Sequence, residues 1–173
     1  IAFMIWGMQT MLATDVSGTI STNTTWNLAG NPYIVTSSIT VNSGVTLTVE
    51  TGVTVKFNDN QSMIVRGTLT AAGVIFTTNN VTLNPGNWGY IQTGDNTYSG
   101  TVNLTNCQIL YAQYINVLMG TATLDSTDIL NFSDYGVVVQ PGGTCNISNS
   151  NINTNSTWAA SYGNGINGNG NGG

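Results

Sequence analysis

From Ser43 to Phe57 the chain reads Ser-Gly-Val-Thr-Leu-Thr-Val-Glu-Thr-Gly-Val-Thr-Val-Lys-Phe, two near copies of one phrase joined at Glu50-Thr51. Apolar residues at every second position, with threonine between them, predict strands that bury one face and wet the other. The same alternation predicts strands at Tyr33–Val35, Ile39–Val41, Val45–Val49, Val53–Phe57, Met63–Val65, Thr68–Thr70 and Val74–Thr77. Gly44, Gly52, Gly67 and Gly73 fall between them as corners, where a tight bend or a positive φ is wanted. A helical period of 3.6 is missing.

Further along, three segments align without gaps, starting at Thr101, Thr121 and Thr144, that is 20 and 23 residues apart. Columns two, four and nine are apolar: Val102/Ala122/Cys145, Leu104/Leu124/Ile147 and Ile109/Ile129/Ile152. Column seven holds the small residues Cys107, Thr127 and Ser150, and columns three and five are polar throughout. A period near 20 built from short strands predicts a β-solenoid, whose coils stack their strands in parallel about 4.8 Å apart. The fold class expected is therefore all-β.

Composition narrows the setting. Only 5% of the 173 residues are charged, the net charge is −5, and histidine is absent. Two basic residues cannot form the cationic patch that nucleic acid or an anionic membrane surface requires. Without histidine, the commonest general base and metal ligand is gone. A hydrophobic content of 40% arranged in period-2 runs rules out disorder for residues 19–155. The uncharged run Ile1 to Leu12 is too short to span a membrane and reads as part of a signal peptide ending near Ala13. The competing reading is a short apolar cap on the core. The organisation expected is a leader over 1–13, an entry region over 14–44 containing Trp26, Pro32 and Tyr33, coils over 45–167, and a Gly/Asn-rich end over 168–173 that marks a truncation.

The register also decides the cysteines. Cys107 and Cys145 lie in different columns two coils apart, about 9–10 Å, beyond the roughly 7 Å limit for a disulfide. Both are expected as free, buried thiols.

The run from Gly18 to Gly73 resembles the entry region of secreted right-handed parallel β-helix proteins, the pectate-lyase-like surface repeat proteins of the Bacteroidetes type. The resemblance is carried by Thr25-Trp26, by Asn31-Pro32-Tyr33-Ile34-Val35, by the Gly-Val-Thr-Leu-Thr-Val pair and by Gly67-Thr68-Leu69. It continues in Asn87-Trp88-Gly89-Tyr90-Ile91, where Tyr90 replaces the family's second glycine, and in the Asn106-Cys107-Gln108-Ile109 and Asn149-Ser150-Asn151-Ile152 coils. It implies a right-handed helix with three sheets, coils of about 20–24 residues, and a secreted or cell-surface location.

Catalysis on that fold would place Asp, Lys or Arg outward in matching columns of adjacent coils. Lys56 and Arg66 are the only bases, both early in the chain. Asp125 and Asp128 form the one close acidic pair, yet the neighbouring coils carry Thr105, Gln108, Ser148 and Asn151 in those columns. They read as turn residues, as do Asp134, Asp59-Asn60 and Asp95-Asn96. No catalytic residue, cofactor or metal ligand is assigned. Trp88, Tyr90 and Tyr98 are the candidates for contacting a glycan. The function expected is a non-catalytic extracellular scaffold, adhesive, structural or glycan-contacting, with extracellular polysaccharide or cell-surface glycan as partner. The alternative is the N-terminal part of a polysaccharide lyase or glycoside hydrolase whose catalytic coils lie downstream.

Overall fold

Alternation fixes which side of each strand is buried, and the repeat fixes which strand lies above which. A computed structural model describes residues 12–153 and 166–168. The leader expected over 1–13 lies outside them except for Leu12 and Ala13, and so does the end expected beyond Gly168. The chain opens with β1 (Thr14–Ile20), β2 (Thr24–Trp26), a short 3-10 turn at Leu28–Gly30 and β3 (Tyr33–Val41). Five rungs of three strands follow. They are β4 (Thr46–Val49), β5 (Thr54–Phe57) and β6 (Met63–Val65); β7 (Thr68–Ala72), β8 (Ile75–Thr78) and β9 (Trp88–Thr93); and β10 (Gly100–Thr105), β11 (Gln108–Leu110) and β12 (Ala112–Val117). The last two are β13 (Gly120–Asp125), β14 (Asp128–Leu130) and β15 (Val137–Val139), then β16 (Gly143–Ser148), β17 (Asn151–Asn153) and β18 (Ile166–Gly168).

All pairings are parallel, giving a β-solenoid of about six turns with three sides. The first side is one six-stranded sheet, ordered β16-β13-β10-β7-β4-β2. The second side (β5, β8, β11, β14, β17) and the third (β6, β9, β12, β15, β18) join into a twelve-stranded sheet through β3. Tyr33–Val35 of β3 pairs with β5 and Ile39–Val41 with β6, so two segments expected as separate strands are one strand that turns the corner. Rung geometry begins at Thr14, because β1 pairs in parallel with β3 along both halves, with one irregularity between Val16 and Gly18.

The gapless alignment is the register of the structure. Thr101 pairs with Thr121 and Thr121 with Thr144, and Ile109, Ile129 and Ile152 stack in one column. Inside the first side, Leu47, Leu69, Val102 and Ala122 form a fully buried column. Burial of each Val, Leu or Ile side chain stabilises by about 1.5–3 kcal/mol, so these columns hold the stack together. Outside the same side stand two other columns. One is Thr46–Thr68–Thr101–Thr121–Thr144, and the other is Thr25–Thr48–Thr70–Asn103–Thr123–Asn146.

The corner between the first and second sides has its own chemistry. Its column of left-handed residues runs Gly52 (φ 85°), Gly73 (62°), Asn106 (52°), Ser126 (50°) and Asn149 (51°). Asparagine tolerates this region better than other side chains, which explains its recurrence where glycine is not used. The next residue, column seven, folds its side chain back onto the corner. Thr127 Oγ1 donates to backbone oxygens at Leu104 (3.3 Å) or Asp125 (3.1 Å), and Ser150 Oγ lies 2.8 Å from Ser148 O. Both hydroxyls also accept from the coil below, from Cys107 N (3.4 Å) and Thr127 N (3.0 Å) respectively. Column seven is therefore small because it must reach back to main chain.

Gly67 turns a corner at negative φ, but a Cβ there would collide with the carbonyl oxygens of Val45 and Asn42. Both cysteines are free as expected, but only Cys107 is buried; Cys145, in column two of the last rung, is half-buried because none of the described strands stacks above β16. Burial raises both thiols, Cys145 to about 11.

Candidate functional site: the aromatic side of the solenoid

The third side carries the residues that depart most from the threonine–asparagine surface. In β9 the sequence Trp-Gly-Tyr-Ile-Gln-Thr directs Ile91 and Thr93 inward and Tyr90 outward, while Gln92, in the outward phase, is covered and buried. The next rung repeats the plan in Ala-Gln-Tyr-Ile-Asn-Val of β12, so Tyr114 pairs with Tyr90 and Asn116 with Gln92. The two phenol rings stack with centroids 5.4 Å apart and planes 15° apart, and both are half-buried. Burial first, then Tyr90 and Asp134, raises the Tyr114 hydroxyl above its ordinary range, so it stays a neutral donor and acceptor.

Beside the tyrosines runs an amide column. Asn116 Nδ2 donates to Gln92 Oε1 (2.8 Å) and Gln92 Nε2 donates to Gly94 O (2.8 Å). Val138 stands directly above Asn116, so the amide series stops there and Asn116 Oδ1 has no partner among the described residues. At Gly94 (φ 60°) the chain leaves the rung, in a position where a Cβ would meet the carbonyl oxygens of Met119 and Tyr98. The loop that follows is tied by Asp95, which accepts from the N–H groups of Thr97 and Tyr98 (both 2.9 Å) and pairs with Arg66 Nε. Those two backbone bonds, then the Arg66 contact, hold the Asp95 carboxyl below its ordinary range. The Arg66 guanidinium also lies 5.5 Å over the Tyr98 ring.

The three aromatic candidates therefore divide. Tyr90 lies on the outward surface and gains Tyr114 as a neighbour. Tyr98 is exposed on the adjoining loop, beneath Arg66. Trp88 is fully buried: its ring stacks on Phe57 (centroids 4.1 Å, planes 9° apart) and its indole N–H donates to Leu110 O at 2.8 Å. Alternation would put Trp88 on the same face as Tyr90, two residues later, so the core position of its ring is one that the pattern does not predict. The ring has no surface to offer a sugar. Tyr114 was legible in the sequence, since aligning residues 88–93 with 112–117 superposes the two tyrosines.

The acidic residues stay apart from this surface. A left-handed corner at Ser126 separates Asp125 from Asp128, and Asp125 accepts from Ser148 Oγ (2.8 Å) and Asn149 Nδ2 (3.0 Å) of the next coil. Those bonds lower its carboxyl below the ordinary range. Asp59 accepts from Asn80 Nδ2 (3.0 Å) in a surface depression shared with Thr36, Asn58, Gln61 and Asn79. Among the described residues no three His, Cys, Asp or Glu side chains gather as a metal site would need, and no helix is long and apolar enough to cross a membrane. What the third side can do is stack, donate and accept. No family model, no curated protein and no solved structure matches the chain, so the solenoid and its aromatic side stand on their own register and geometry.

Proposed function

We propose that the chain is a non-catalytic extracellular or cell-surface scaffold that contacts polysaccharide through the Tyr90–Tyr114 stack. The carrying observation is the pair itself: two half-buried, nearly parallel tyrosines stacked in register on adjacent rungs, with the buried Gln92–Asn116 amides beside them. The C–H face of a pyranose ring packs on an aromatic face, and tyrosine adds a hydroxyl at little conformational cost. The rungs hold both rings in place, so little ordering entropy is lost on binding. Tyr98 and Arg66 border the same surface and would meet an acidic sugar. A pectate-lyase-like affiliation and a secreted location belong to the same reading, supported by the motif order between Gly18 and Gly73.

Affinity electrophoresis and a glycan array with the full chain test it. Retarded migration in one or more polysaccharides, lost in Tyr90→Ala and Tyr114→Ala with the circular dichroism unchanged, is the expected outcome. Unchanged binding in the double variant sinks the proposal. Release of unsaturated uronides from pectin or alginate by the wild-type chain would replace it with the lyase reading.

A further inference from the structure

We propose that the first side of the solenoid is an ice-binding face, with its two outward threonine columns as the contact lattice. The proposal concerns a different side from the tyrosine pair and does not depend on the glycan reading.

Three observations carry it. The first is the lattice. Threonine occupies five successive rungs at positions 46, 68, 101, 121 and 144, and the column beside it alternates only between threonine and asparagine. Rungs repeat about every 4.8 Å and outward neighbours along a strand about every 6.6 Å, giving a two-dimensional grid of hydroxyl and methyl groups. The pairing from Thr46 through Ser148 contains no irregularity, so the grid is unbroken.

The second is that the hydroxyls are uncommitted. Among the described residues, none of Thr46, Thr48, Thr68, Thr70, Thr101, Thr121, Thr123 or Thr144 spends its side-chain hydroxyl on a protein group; Thr46 bonds only through its backbone N–H, to Asn23 Oδ1. Elsewhere in the same structure, Thr127, Thr24 and Thr36 do bond to the main chain. The third is charge. Neither column holds an ionic side chain, and the nearest, Glu50 and Asp125, stand at the edge of the side. The second side mixes Lys56, Ile75, Gln108 and Asp128 over the same rungs.

A rigid grid with this repeat, of the order of the oxygen spacing on ice, suits one occupant. Methyl groups order the first water layer around them. Hydroxyls at fixed intervals anchor that layer in positions a crystal can extend. A charge would instead hold its own tight hydration shell and break the pattern, and a soluble partner of either sign would demand complementary charge.

Thermal hysteresis and ice-affinity partitioning of the full, fluorescently labelled chain test the proposal. The wild type is expected to adsorb to ice, to facet growing crystals and to hold a freezing gap. Thr70→Tyr and Thr123→Tyr should lose most of it by breaking the grid. Thr123→Lys, an exchange that a solvated strand position accepts, should do the same if the tyrosine variants fail to fold. Tyr90→Ala and Tyr114→Ala should retain it. Exclusion of the folded wild type from ice, or full activity in Thr123→Lys, overturns the proposal. Adsorption to crystalline cellulose or chitin without any effect on ice would also overturn it, giving the side to a solid polysaccharide.

Discussion

Replacing Trp88 separates a surface role from a structural one. The side chain is fully buried, stacks on Phe57 at 4.1 Å and satisfies Leu110 O. An aromatic residue of this size buries up to about 250 Å². At about 25 cal/mol per Å² that is about 6 kcal/mol, an upper figure, and measured Trp→Ala exchanges in cores fall at about 3–5 kcal/mol. Trp88→Ala should therefore cost about 4 kcal/mol, with Leu110 O left unpaired in the cavity. For a chain of this length, each kcal/mol moves the melting temperature by about 2–4 °C, so the drop should be about 8–16 °C. Trp88→Phe keeps most of the stack but loses the indole donor, at about 1–3 kcal/mol. Guanidinium titration followed by circular dichroism reads both, with Tyr114→Ala as a surface control that loses less than about 1.5 kcal/mol. A Trp88→Ala chain that melts within about 2 °C of wild type while losing polysaccharide binding would refute the reasoning and return the indole to the surface.

Two further outcomes follow from the corners and the core. Asn106 sits at φ 52°, so Asn106→Val should cost about 1–2 kcal/mol while Asn106→Gly stays near neutral, checked by the same titration. Burial raises both thiols, Cys145 to about 11, so native protein should label slowly with maleimide at pH 8 and unfolded protein quickly at both sites. A thiol whose pKa is higher folded than unfolded stabilises below the unfolded value of about 9. Stability should therefore fall as pH rises from about 9 towards 11, and rapid native labelling at pH 8 would contradict the burial.

Legibility divided along physical lines. Wherever coils repeat without insertions, the sequence gives the register outright, because one slipped residue would turn every Val102-type position out to water. Between Thr68 and Thr101 it does not, since the 79–87 and 94–99 loops lengthen that coil and hide the repeat. The Tyr90–Tyr114 pairing was open to the alignment of 88–93 with 112–117, whereas nothing in the alternation turns Trp88 from the face of Tyr90 into the core. Alternation also misses corners turned inside one strand, as at β3, where Thr36–Ser38 carry the bend. Nor does any pattern predict Tyr111 at φ 64°, in the place Asn131 fills one coil later. Its partly buried ring packs against the core, and that burial offsets the backbone strain.

What the solenoid requires of a side chain ends at the inward columns. A strand's outward positions need only suit a pleated, half-solvated surface, which threonine, valine, isoleucine and tyrosine all do. The second side shows that freedom: Thr54, Ile75, Gln108, Asp128 and Asn151 share one outward column. On the first side the same backbone carries threonine five times in succession. Strand propensity acts on all three sides alike, so it does not account for a preference confined to one. Stacking does not account for it either, because the buried Leu47, Ile109 and Ile91 columns already fix the register of the three sides. The ice-binding proposal accounts for the repetition, since ice would offer surroundings that repeat with the rungs.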